Sequence, residues 1–431
     1  MQGSMPSGQF VFEPAAAEPV ASVLYDEHLR RTSKSRMSPF AGYVMPLWYS
    51  SIAAEHHAVR EAAGLFDCTH MGVLEFSGGG AAEFLNAATT NDVQKLAVGR
   101  AQYSYLLDAA GNILDDIIVY RRAETLYMVV VNAANEPKVK AYLTELLAGR
   151  VVIEVEPQRT GLRPSKPCVF RDMRDTASGS DCRVDIALQG PASIDVLAKL
   201  SADKSIAEKL SELKGFAFFE QDLSGIDCLI CRTGYTGSQV GFELFVHPDQ
   251  AARLWNLILE AGEPLGVLPC GLGARDSLRI EAGLPLYGHE LDGPFGISPF
   301  EAGYGWAVKL DKAFFVGKAP MAKIAATYDM QVARLAFAAT QGIRPVRPDD
   351  PIIDGCGVCV GWVLSSAKAG EKQYALAYVG RNAATEGNAL GAYYLARSPS
   401  QVQQGRAERM DRGQQAQADL MGTVVGRFEK F

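Results

Sequence analysis

Residues 111–120, GNILDDIIVY, set two carboxylates side by side in what is otherwise the β-branched and aromatic material of a buried strand. Side chains alternate across a strand, so Asp116, Ile118 and Tyr120 share one face and Asp115, Ile117 and Val119 the other. The two acids therefore do separate jobs. A carboxylate in a dry core takes up a proton or collects hydrogen-bond donors. Two readings stand on this segment alone. One Asp lies in a ligand cavity lined by Tyr120 and by Tyr103 or Tyr105 of the paired strand, or both acids cap turns or pair with arginines at the sheet rim.

Two further stretches carry chemistry. In RTGYTGSQVGFELFV, residues 232–246, the glycines suggest a phosphate cradle, but there is no Walker lysine, no helix opening and no GxGxxG order. The segment reads as a tight hairpin connection that brings Tyr235 near the strand carrying Glu243. Alternation places Glu243 with Phe245, opposite Phe242, Leu244 and Val246. A heterocycle edge with adjacent N–H donors is a natural partner for such an acid; an edge-strand Glu facing water is the alternative. In GLGARDSLRIEAGLPLYGHELD, residues 271–292, a helix from Gly273 to Ala282 sets Arg275 and Arg279 at i and i+4. Asp276 and Glu281 can serve internally. That leaves Arg275 for bidentate pairing with a carboxylate ligand, unless the whole set is a structural ion network.

These side chains need a scaffold, and composition bounds it. The chain has 431 residues, 48% hydrophobic and 21% charged, enough for two or three domains with sizeable cores. A formal net charge of −7 gives no basic field for nucleic acid or an anionic membrane. No apolar run reaches the roughly 20 residues of a membrane span, and the N-terminus lacks the order of a signal peptide, so the expected compartment is the cytoplasm. The eight cysteines do not form a disulfide scaffold. The pairs Cys228/Cys231 and Cys356/Cys359 are too far apart for a zinc ribbon, and the strand period sends Cys228 and Cys231 to opposite faces. The six histidines show no helical ligand spacing, and no metal is expected.

A pattern of hairpin, strand and helix appears twice. QYSYLL turns at DAAGN, returns as ILDDIIVY, continues as TLYMVVV and enters the helix NAANEPKVKAYLTELL with Asn132 as N-cap. Later IDCLICR and GFELFV lead into HPDQAARLWNLILEAG. Two related α+β modules are predicted, followed by short strands suiting a small β-barrel or sandwich. The domains expected are a flexible extension over 1–24, a region over 25–330 holding both modules, and a C-terminal domain over 331–431 with a mobile loop at 397–420, before a strand at GTVVGRF.

Taken together, these stretches resemble the glycine-cleavage T-protein (aminomethyltransferase) family. The likeness runs in unbroken order over roughly residues 24–325: LYDEHLRR, PFAGYVMPLWYSSIAAEHHAVREAAGLFDCTHMG, TNDVQKL, YSYLLDAAGNILDDIIVY, VVVNAAN, ALQGPAS, RTGYTG, GFELFV, GLGARDSLRIEAGLPLYG, ISPFEAGYGWAVKL and FVGKAPM. The resemblance implies an α+β, three-domain clover-leaf fold around a tetrahydrofolate cavity, with two related modules plus a C-terminal β-barrel-like domain. It makes Asp116 the catalytic aspartate, with Met71, Tyr103, Tyr120 and Asn132 at positions lining the pterin pocket. Glu243 matches the acid that grips the pterin, Tyr235 stands beside it, Arg275 matches a folate-contacting arginine, and Trp306 an aromatic wall.

The implied reaction moves an aminomethyl group from the dihydrolipoyl arm of a carrier (H) protein to tetrahydrofolate. It releases ammonia and forms 5,10-methylene-tetrahydrofolate. Cationic iminium character develops on the transferred carbon and nitrogen, and a fixed carboxylate can stabilise it or handle a folate proton. The chain departs from the family pattern at 159–183, which reads as an insertion, at GPFG, and at VLSSAKAGEKQYALAYV in the C-terminal domain. The last departure keeps a second donor class open, a tetrahydrofolate-dependent demethylase of a small O-, S- or N-methyl compound.

Overall fold

The computed structural model describes residues 10–14, 17–339 and 342–431. Strands Arg100–Leu107, Ile113–Ala123 and Leu126–Val131 form an antiparallel meander, with Gly111 at φ +86° in the first turn, a conformation that favours glycine. Gly72–Ser77 pairs with Leu126–Val131, and Val169–Asp172 pairs with Gly72–Ser77, making a five-stranded sheet whose far edge is Arg100–Leu107. The segment that reads as an insertion in the sequence thus supplies an edge strand.

The second meander runs Phe218–Asp222, Asp227–Cys231 and Gly241–Val246, and continues through Val184–Gln189 and Gly64–Asp67 to Leu268–Cys270. Each meander feeds a helix. Glu136–Leu147 buries Val139, Tyr142, Leu143 and Leu146, and Pro248–Gly262 buries Ala251, Leu254, Trp255, Ile258 and Leu259, the i, i+3, i+4, i+7 stripe of an amphipathic helix. Full burial of each such large side chain contributes about 1.5–3 kcal/mol. The repeated pattern in the sequence is therefore a repeated α+β module.

Alternation assigns the cores. Ile117 and Val119 join the helix side of the first module, and Phe242, Leu244 and Val246 the helix side of the second. The opposite faces meet in one apolar cluster, to which the first sheet gives Val73, Tyr120, Met128 and Val130 and the second gives Leu229, Cys231 and Phe245. Cys228 and Cys231 lie in different cores.

The chain divides into two compact units. One comprises the described residues up to Gly234, Ser238–Leu272 and Ala307–Lys323, and holds both sheets. The other comprises Tyr235–Gly237, Gly273–Trp306 and Ile324–Phe431. In the second unit six strands close a barrel in the order Met330–Ala338, Lys372–Gly380, Cys359–Ala369, Pro351–Ile353, Ala389–Ala392 and Leu420–Val425. Between Arg397 and Leu420 the chain makes a short helix, Pro399–Gln403, and an Arg406–Asp419 ion pair at 2.5 Å, while Met410 O accepts from Trp362 Nε1 at 2.8 Å. No described helix is long and apolar enough to cross a membrane.

Candidate functional site

Asp115 and Asp116 are held by different faces of one strand and by one shared amide. Asp116, half-buried, accepts from the Tyr103 hydroxyl at 2.9 Å through Oδ2 and from Asn132 Nδ2 at 2.8 Å through Oδ1. Asp115 is fully buried and accepts from the Asn132 backbone N–H at 3.0 Å, from Asn132 Nδ2 at 2.9 Å and from Asn135 Nδ2 at 2.6 Å. The backbone register sets Tyr105 directly opposite Asp116, but the hydroxyl comes from Tyr103, the diagonal neighbour two residues along. The rings of Tyr103 and Tyr105 meet edge to face, 5.2 Å apart.

Asn132 stands at the N-cap of the one-turn 3-10 helix Ala133–Asn135 that leads into the helix, but it does not cap with its side chain. The amide reaches the two carboxylates of the adjacent strand instead. The helix proper begins at Glu136, with Pro137 in its first turn.

Burial first, and then the negative charge of Asp116, pushes Asp115 up to about 8 against the pull of the two asparagines. Burial also raises Asp116, offset in part by Tyr103 and Asn132. Two carboxylates in contact through one amide titrate as a pair, so the site retains a proton well above the ordinary carboxylate range.

Glu243 points, with Phe245, into the layer between the two sheets. It accepts from the Thr233 hydroxyl and, at a long 3.4 Å, from the Tyr120 hydroxyl. Burial, and then the charge of Glu243, holds the Tyr120 phenol well above its usual pKa, so it stays a neutral donor. Met71 and Ile118 pack against the same inter-sheet cluster as Tyr120. Five of the sequence-derived residues besides Asp116 thus belong to one unit: Met71, Tyr103, Tyr120, Asn132 and Glu243.

The remaining three belong to the other unit. Tyr235 donates its hydroxyl to Pro285 O at 2.6 Å, and the Arg275 guanidinium lies 5.6 Å from the centre of the Tyr235 ring. Arg279, the other arginine of the helix Leu272–Ala282, is buried and pairs with Asp276 at 2.8 Å and Glu290 at 2.7 Å. Of the i, i+4 arginines, Arg279 is absorbed internally, by Asp276 and by Glu290 rather than by the Glu281 that the sequence suggested. Trp306 sits on the turn Gly305–Ala307, 52% exposed, its ring 5.8 Å from that of Tyr304.

Two cavities lie away from these residues. One of about 1070 Å³ is lined by Tyr328, Asp329, Arg381, Asn388 and Arg412 of the barrel unit, and one of about 260 Å³ by Phe10, Asp108, Val152 and Val155. Neither includes a sequence-derived site residue. Among the described residues no group of three or more His, Cys, Asp or Glu could hold a metal ion.

Residues 24–312 match the family model described as GCVT N-terminal domain. An aminomethyltransferase of Streptomyces avermitilis is 41% identical over 366 residues, covering 84% of this chain and 90% of the relative. The chain belongs to the aminomethyltransferase family. A second member, from Exiguobacterium sibiricum, is 43% identical over 288 residues, covering 67% of this chain and 70% of its own. Among solved structures, the glycine cleavage system aminomethyltransferase T from Bartonella henselae aligns with a TM-score of 0.74 at 28% identity, covering 96% of this chain and 99% of that one. The fold of the family, mixed α+β modules with a closed C-terminal barrel, is the fold seen here.

The sequence reading missed Asn135 and Thr233. Both sit inside segments that carry the family resemblance, VNAAN and RTGYTG, and each gives its side-chain donor to an acid of the site. An amide three residues after Asn132 was the available signal for the first.

Proposed function

We propose that this family member moves an aminomethyl-derived one-carbon unit from the dihydrolipoyl arm of a lipoylated carrier (H) protein to tetrahydrofolate. Ammonia, the reduced dihydrolipoyl carrier and 5,10-methylene-tetrahydrofolate are the products. The observation that carries the reading is Asp116, a half-buried carboxylate fixed by two donors on the sheet face that also presents Tyr120.

Bound tetrahydrofolate supplies the ring nitrogens that receive the carbon. Glu243 suits the adjacent N–H donors of a pterin edge, because a carboxylate accepts two parallel hydrogen bonds. Tyr103, Tyr120 and Met71 are assigned to the walls of that pocket, and Asn132 to holding Asp116 in one orientation. Asp116 is assigned to the cationic character that develops on the transferred carbon and nitrogen. A carboxylate already oriented in a poorly solvated place needs no reorganisation when that charge appears. Arg275, carried on the Tyr235 ring, is assigned to a folate carboxylate, and Trp306 to an aromatic wall. Eight cysteines standing as free thiols support a reducing compartment, the cytoplasm.

Product analysis tests this. Purified protein given tetrahydrofolate and aminomethylated lipoyl carrier is expected to release ammonia and form 5,10-methylene-tetrahydrofolate. Absence of ammonia, with 5-methyl-tetrahydrofolate formed from a methylated small molecule, would instead establish the demethylase.

A further inference from the structure

Lys312 is a buried lysine, 7% exposed, in the segment Ala307–Lys323 that returns to the first unit. Its ammonium donates to three backbone carbonyls, those of Asn86 at 2.5 Å, Thr89 at 2.7 Å and Asn91 at 2.8 Å. Three N–H groups meet three acceptors. Asn86 and Thr89 lie at the end of the helix Ala81–Ala88, where the last carbonyls have no partner within the helix and a cation meets the negative end of the dipole. A helix cap would need only these two.

The third carbonyl lies past the helix, in a turn that covers the outer side of Arg100–Leu107, the edge strand of its sheet. Thr90 N donates to Tyr105 O at 3.1 Å, and Tyr105 N to Thr90 Oγ1 at 3.1 Å. Asn91 N donates to Ser104 Oγ at 2.9 Å, and Asn91 Nδ2 to Tyr103 O at 2.8 Å. The returning segment is latched to the same turn by Thr90 Oγ1 to Ala307 O at 2.9 Å and by Lys309 N to Thr90 O at 3.0 Å. Tyr103 in turn gives its hydroxyl to Asp116.

We infer that Lys312 is a positioning residue for Asp116, acting through the Asn91 turn and the Tyr103 hydroxyl. Three hydrogen bonds separate the ammonium from the carboxylate. Without the clamp on Asn91 O the turn keeps its bonds to the edge strand but loses a tie to the returning segment at Asn91, the residue whose amide holds Tyr103 O, and Tyr103 can shift on its acceptor. The consequence for turnover rests on the reaction proposed above; the consequence for the Asp116 carboxylate does not.

The experiment compares Lys312→Met, Asn91→Ala and Tyr103→Phe, singly and in pairs with Tyr103→Phe, by steady-state kinetics and by carboxyl ¹³C titration of Asp116. Asn91→Ala leaves the backbone carbonyl, and so the cap, in place, and it decides the matter should Lys312→Met not fold. Lys312→Met and Asn91→Ala are each expected to lower kcat about tenfold, the scale of one well-oriented hydrogen bond, with KM for tetrahydrofolate changed less than about twofold. In both, the Asp116 midpoint moves upward toward that of Tyr103→Phe, because a donor to the charged form is lost. Within the Tyr103→Phe background neither substitution adds a further change. An unmoved Asp116 titration, or effects that add to those of Tyr103→Phe, would make Lys312 a helix cap and overturn the inference. Should the wild type form no methylene-tetrahydrofolate, the reaction reading fails and the titration alone decides the role of Lys312.

Discussion

Asp67 and Asp115 are carboxylates of the same unit, 5% and 0% exposed, on strands of its two sheets. Asp67 Oδ2 accepts from His28 Nε2 and from Ser22 Oγ, both at 2.8 Å, and Oδ1 from Thr69 N at 2.8 Å. Tyr49 meets the other ring nitrogen of His28 at 2.7 Å. Burial alone would raise Asp67, but the hydrogen bond and attraction of His28, with His70 and the Thr69 amide, take it down to about 2. Asp115 also has three donors, all neutral amides, and its nearest charged neighbour is another carboxylate. It ends near 8. Equal burial thus gives opposite titration, decided by the sign of the neighbour. The first arrangement fixes a helix and a strand to each other. The second leaves two acids on opposite faces of one strand sharing a proton, and a pair perturbed in that way is a functional candidate.

The sharpest way to break this contrast is Asp116→Asn. It keeps the shape and removes the charge, and turnover is expected to fall on the order of 10²–10⁴-fold while folate affinity changes much less. Equal turnover in the variant and the wild type would dissolve the functional half of the comparison. Glu243→Gln should weaken tetrahydrofolate binding by about 1.5–3 kcal/mol, the range for hydrogen bonds to charged groups, as read by calorimetric titration.

Stability against pH separates the two acids themselves. The folded pKa of Asp67 is depressed, so its contribution is complete above the unfolded value near 4 and is lost as pH falls through about 2. That shift corresponds to about 2 kcal/mol. The folded pKa of Asp115 is raised, so its contribution is complete below the ordinary carboxylate value and is lost as pH rises toward about 8. Melting temperatures of Asp67→Asn and Asp115→Asn across pH should therefore flatten opposite limbs of the wild-type curve. A common limb would refute the assignment. The smallest effect expected is kinetic: Asp115 keeps its proton while Asp116 ionises, so Asp115→Asn should leave the acid limb of kcat/KM nearly where it is.

What the sequence disclosed follows from periodicity. The faces of Asp115 and Asp116, of Glu243 and its neighbours, and of Cys228 and Cys231 need only the two-residue repeat of a strand, and the repeated modules need only the order of their elements. What stayed hidden depends on register and on distant partners. Asn132 reads as a cap until Leu126–Val131 is laid beside Ile113–Ala123, which puts its amide against both acids. The choice of Tyr103 over Tyr105 is a diagonal contact that pattern alone cannot select. The His28–Asp67 pair, 39 residues apart, and the reach of Lys312 have no local signature.

The clamp of Lys312 on Asn91 joins residues 221 positions apart in the chain. At a synthesis rate of roughly 5–20 residues per second, roughly ten to forty seconds pass between the emergence of the turn and that of its lock. Throughout that interval the turn over the edge strand Arg100–Leu107 lacks its tie to the returning segment, and edges left uncovered recruit foreign strands. Closing so long a loop is also among the slower and more entropically costly contacts of the fold. The first unit is begun early and sealed late: one tie on the turn over its edge strand waits for a residue far down the chain.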